Sequence, residues 1–159
     1  MKKIKKINRN FLVIIDGSNE MEIALQFAAT RAKKSNGNLV LASFIEPLDV
    51  LTTKDVTDIM KNEAREEAET MLHKASSYIK EETSIVPVLH VREGEVIKEL
   101  LKLVEEEKNI SELILAASID EKGPGPIITS IMTKNYSLIN IPITIIPGNL
   151  SKEQIKQIG

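Results

Sequence analysis

Apolar positions along the chain fall into two alternating rhythms. Short continuous runs mark strands, and wider 3.6-residue spacings between them mark helices. Phe11–Ile15 is an unbroken apolar run, suited to a strand buried on both faces of a parallel sheet. Asp16-Gly17-Ser18-Asn19 interrupts it with turn chemistry. Ser18 or Asn19 can open the helix that follows, and Asn19 with Glu22 has capping-box spacing. Met21, Leu25, Ala28, Ala29 and Ala32 then repeat at helical spacing, with Lys33-Lys34 and Gly37 as the stop. Asn38–Ile45 reads as the second strand, closed by Glu46-Pro47. A long helix is expected from Thr53 to Glu82, its apolar stripe (Val56, Met60, Ala64, Ala68, Met71, Leu72, Ala75, Ile79) narrow among many charges.

Ile85–Val91 reads as a third strand. Pro87 within it removes a ladder donor and places it at a sheet edge. Ile97, Leu100, Leu101 and Val104 share one helical face; Glu105-Glu106-Glu107 oppose the dipole at its end. Leu113–Ala117 is a fourth apolar run. After the loop Ser118–Pro126, the positions Ile128, Ile131, Met132 and Leu138 or Ile139 predict a fourth helix, and Ile141–Ile146 a fifth strand. The tail Asn149–Gly159 is polar with a short helical tendency. Strand–helix alternation repeated four times predicts an α/β fold: one doubly wound, Rossmann-like domain with a parallel sheet and helices on both faces. Its expected bounds are residues 10–148, between a basic arm (1–9) and the polar tail (149–159).

Composition narrows the chemistry. With 159 residues the chain is long enough for a sizeable core. Cysteine is absent, which removes disulfides, thiolate metal sites and cysteine nucleophiles. His73 and His90 are the two histidines; His73 reads as surface, and His90 as structural or solvated on an edge strand. A net charge of −2 and scarce aromatics argue against nucleic-acid partners. The arm Met1–Asn10 holds five basic residues, but the apolar run after it is too short for a signal peptide, and no run approaches a membrane span. A solvated arm is expected, with a weak electrostatic contact to an acidic partner as the alternative. No Ser/His/Asp set, metal-ligand string or Gly-rich phosphate loop of standard form occurs, so nothing positive points to catalysis.

The segment Leu113–Ser130 is the candidate site. A loop after a strand end, meeting a helix start, lies where ligands bind in open α/β sheets and where backbone amides can face an anion. Three sets of residues place the chain closer to a family. V-I-I-D-G-S with Ala24-Leu25, S-E-L-I-L-A-A-S, and I-P-I-T-I-I-P resemble, in order and spacing, segments of the universal stress protein (UspA-like) family, as do F-I-E-P and R-E-G-E-V-I-K-E-L-L. The resemblance covers about residues 10–148. It implies a five-stranded parallel sheet in order 3-2-1-4-5, a cytoplasmic stress-response role, and a homodimer joined through the last strand, with Ile141, Ile143 and Ile145 as the contact. Pairing that strand also answers the hazard of a free apolar edge.

The family's nucleotide-binding members carry G-x-x-G, nine residues, then G-S or G-T. Those positions fall here on Ala116, Ile119, Thr129 and Ser130. Only the last hydroxyl survives, and Ile119 is expected to obstruct a phosphate. The loop E-K-G-P-G-P resembles a bacterial branch with its own Gly-Pro loop. There Gly123 and Gly125 can supply amides and Lys122 a charge, while Pro124 and Pro126 supply none. By resemblance Asp16 would hold a ribose or a metal–phosphate; as a turn residue it would satisfy nearby amides. Phe44 matches the adenine-recognising position, though its side chain reads as core. Thr129 and Ser130 either donate to a phosphate or cap the helix. The leading expectation is a non-catalytic, dimeric regulatory or binding module. The alternative is an ATP-binding switch with at most slow hydrolysis, using the crevice between strands one and four. An unrelated small-ligand or electron-transfer domain of the same fold is a third.

Overall fold

Val13 and Leu12 are neighbours in sequence yet lie in different cores, because successive strand residues point to opposite faces. In the computed structural model, which describes residues 8–47 and 53–159, this first strand is β1 (Asn10–Ile14), and its residues Phe11–Ile14 are at most 6% exposed. Phe11, Val13 and Ile15 face a core completed by α1 (Asn19–Ser35), α2 (Lys54–Thr83) and α5 (Lys152–Ile158). Leu12 and Ile14 face a second core made with α3 (Val96–Glu106) and α4 (Pro126–Ser130). A strand flanked by helices on both sides has to be apolar at every position.

The sheet holds β2 (Asn38–Ile45), β3 (Val88–Glu93), β4 (Glu112–Ala117) and β5 (Ile143–Pro147) around β1, all parallel, in order β3-β2-β1-β4-β5. This is the order implied by the family resemblance. Small residues let α1 lie close on the sheet: Ala24, Ala28, Ala29 and Ala32 are all buried. In α2, burial begins at Ala68, whereas Val56 and Ile59 in its first turns are exposed. The Glu-rich end of α3 is offset by Arg92 on β3, whose guanidinium lies 2.6 Å from the Glu106 carboxylate. That bond to Arg92 holds the Glu106 carboxyl below the ordinary glutamate range.

Several boundaries differ from the sequence expectation. The third strand begins after Pro87, at Val88, and runs to Glu93. A proline without an amide suits the approach to an edge strand better than its middle. β5 likewise starts after Pro142, whose carbonyl accepts the Leu113 amide at 2.9 Å. α1 has Ser18 at its N-cap with no side-chain cap bond, so the Asn19–Glu22 box does not form. Its left-handed C-cap is Asn36, not Gly37; a Cβ on Gly37 would instead press on the Arg9 carbonyl, 2.7 Å away. The fourth helix is two pieces, α4 and a π-helical turn, Ile131–Asn135. The tail forms α5, with a complete Ser151–Gln154 capping box and Ile155 buried in the first core. Residues 1–7 of the expected basic arm, and Leu51-Thr52 before the long helix, lie outside the described residues.

Candidate functional site

β1 and β4 are adjacent, and the chain leaves them toward opposite faces of the sheet, β1 into α1 and β4 into α4. Such a divergence opens a crevice beyond the strand ends. The exit from β1 is fixed in place: the Ile15 amide donates to the Ala42 carbonyl at 2.8 Å, and the Ser43 hydroxyl donates to the Ile15 carbonyl at 2.7 Å. Asp16 follows immediately. Its Oδ1 accepts the Ser18 amide at 3.0 Å and the Ser18 hydroxyl at 2.6 Å across a Gly17 whose φ of +76° favours glycine. Because the Ser18 hydroxyl is turned to Asp16, it does not cap α1.

The crevice is small. Its cavity is about 60 Å³, against roughly 300–1,000 Å³ for small-molecule sites in general. Its walls are Ile14, Met21, Ile114 and Leu115, its carboxylates Asp16 and Glu20, and its far side Pro124-Gly125-Pro126. Among the described residues no lysine or arginine lines it. Two carboxylates without a cation disfavour an approaching phosphate.

The loop that closes it is bonded to itself. The Ser118 amide donates to the Pro124 carbonyl at 2.9 Å, and the Gly123 amide to the Asp120 carbonyl at 3.1 Å. The Asp120 amide donates to the Ser118 hydroxyl at 3.2 Å, and the Lys122 amide to Asp120 Oδ1 at 3.1 Å. Four amides of the loop are therefore occupied within it, and Pro124 and Pro126, which line the crevice, have none. The α4 N-cap is Gly125, at φ +109° and ψ 158°.

Of the candidate ligand residues singled out in the sequence, Asp16 and Gly125 line this crevice, as does Ala116 at the first motif position. Phe44 is half-buried and packs on the second core. Lys122 is exposed in the loop, and the amide of Gly123 is spent within it. Thr129 and Ser130 sit within α4 rather than at its start, because the helix begins at Pro126. The Thr129 amide reaches back to the Gly125 carbonyl, and the Ser130 hydroxyl accepts from the Asn135 side chain at 3.0 Å. They neither cap the helix nor line the crevice. Ile119, expected to obstruct a phosphate, is 74% exposed. It does not line the crevice, whereas Pro124 and Pro126 do. Glu20 was missed; its one sequence signal is its place in the first turn after the Asp16 turn. His73 is exposed on α2, and His90 is half-buried on β3.

Against known proteins, residues 8–146 match the model of the universal stress protein family. Universal stress protein UspA from Lactobacillus plantarum superposes with a TM-score of 0.74 at 13% identity, over 89% of this chain and 99% of that one. A universal stress protein solved in complex with cAMP gives 0.61 at 16% identity, over 91% and 100%. One from Archaeoglobus fulgidus, in complex with dAMP, gives 0.60 at 19% identity, over 89% and 99%. At these identities the likeness is one of fold. No curated protein matches the chain by sequence.

Proposed function

The chain belongs to the universal stress protein family, and from that premise we propose that it is a non-catalytic stress-response module that regulates by binding and works as a cytoplasmic homodimer. The observation that carries this reading is the small, acid-lined crevice. Where the fold offers a nucleotide its place, this chain has about 60 Å³, two carboxylates and a loop that spends four of its amides on its own oxygens. A phosphate there would meet two carboxylates and no positive side chain. The fold is kept while the means of holding ATP are reduced.

Support for a dimer comes from β5. It pairs with β4 along one edge, and its residue Ile145 is 40% exposed. The segment leading into it also exposes Met132, Tyr136 and Leu138. An unpaired apolar strand edge favours association with a second strand.

A second reading, an ATP-binding switch, is favoured by the related folds solved with cAMP and with dAMP. In this chain it would require Pro124–Pro126 to swing away from Asp16. Thermal unfolding with millimolar ATP and Mg²⁺ separates the two. A ligand at one hundred times its Kd stabilises by about 2.7 kcal/mol, which for a chain of this size raises Tm by several degrees, at roughly 2–4 °C per kcal/mol. The proposed reading expects no shift; a shift of several degrees would establish the switch.

A further inference from the structure

The space that the crevice lacks exists elsewhere. Between the second half of α1, the end of α2 and α5 lies a cavity of about 550 Å³. It adjoins a second, of about 470 Å³, that extends toward the start of α1; Gln26, Tyr78 and Lys152 line both. Its size is within the small-molecule range. Its far wall is α5, which lies beyond the stretch matched to the family (residues 8–146) and is held down by the buried Ile155 and by its capping box.

The charge here is opposite to that of the molecule. The chain carries −2 overall, yet Lys33, Lys34, Lys152 and Lys156 line the larger cavity against the single carboxylate of Glu82. Among the described residues, Lys33, Lys152 and Lys156 form no ion pair with a side chain. Lys33 donates once, to the Glu82 carbonyl at 3.2 Å. Lys34 donates to the Lys156 carbonyl at 2.7 Å and to a backbone oxygen of the last residue, Gly159, at 3.1 Å. An ammonium has three donors, so both keep capacity for a ligand, and Lys152 and Lys156 keep all of theirs. Burial, and then Glu82 and Glu22, push the Tyr78 hydroxyl pKa up, so that it stays protonated as a neutral donor at the junction of the two cavities. Ala29 and Ile155, buried in the first core, form its floor.

We propose that this groove is a second ligand site, taking a small molecule with two or more anionic groups, phosphate or carboxylate, held by Lys152, Lys156 and Lys33. The site is independent of the crevice and of whether nucleotide binds there.

Titrating the isotope-labelled full chain with pyrophosphate, and separately with citrate, at low salt tests it by amide chemical shifts. Saturable shifts are expected around Gln26, Tyr78 and Lys152, weakening as salt is raised. The tighter probe assigns the anion as phosphate or carboxylate. The double variant Lys152→Glu, Lys156→Glu, both surface changes, is expected to weaken binding about tenfold or more, while Lys152→Arg, Lys156→Arg retains it. Each variant's fold is checked by its melting curve. Absence of saturable shifts with both probes, shifts spread evenly over the surface lysines, or unchanged affinity in the Glu variant would overturn the assignment.

Discussion

Gly125 shows how one residue shapes the crevice. At φ +109° and ψ 158° it occupies a region open essentially to glycine, yet a Cβ there would meet nothing within 4 Å. The constraint is thus conformational rather than steric. Gly125→Ala is expected to cost about 1–3 kcal/mol in urea unfolding; an unchanged midpoint would mean that the loop relaxes at no cost. Tyr78 supplies a test by pH. Its folded pKa is raised above the ordinary 10.0, chiefly by burial and further by Glu82 and Glu22. The folded state therefore keeps a proton that the unfolded state releases. That contribution is complete below pH 10.0 and is lost as pH rises through the folded value. Ultraviolet titration should find a phenol ionising above 10.0 that Tyr78→Phe removes; a variant that leaves the curve unaltered would refute the assignment. At this scale the sequence was informative where chemistry is local. Asp16 ends an apolar strand, and its turn follows from Asp-Gly-Ser. Thr129 and Ser130 were misplaced because the start of α4 is decided by the fold of the loop, which brings Pro126 to its first position.

Among the elements, the strands and long helices were legible because their apolar runs and stripes are continuous, as in β1, β2 and α2. What was not legible followed from prolines and from tertiary packing. Pro87 and Pro142 precede strands that were expected to contain them, and the π-helical turn after α4 has no periodic signature of its own. The tail offered only polarity with a helical tendency, yet Ile155 is 1% exposed in the first core. The last strand is where dimer formation is tested. Ile143 packs against the second core, so a charge there would also disturb folding, whereas Ile145 is 40% exposed. Ile145→Lys is expected to halve the mass seen by light scattering while leaving the circular dichroism spectrum intact. A variant that keeps the wild-type mass would remove β5 from the interface.

For the whole molecule, the sheet order β3-β2-β1-β4-β5 sets β1 at the centre and opens the crevice beside β4. The family's fold is complete, and no helix among the described residues is long and apolar enough to cross a membrane. What this chain alters is the distribution of space and charge. The place beyond β1 and β4 is small, bordered by Pro124–Pro126 and lined with acid, while the groove beside α5 is larger and basic. The proposed dimeric module that does not depend on ATP is tested most directly by native mass spectrometry of freshly purified protein, which reports assembly and retained ligand together. The expected spectrum shows a species at twice the 17.7 kDa chain mass with no adenine nucleotide bound. A monomer, or a species carrying the added mass of ATP, would contradict it.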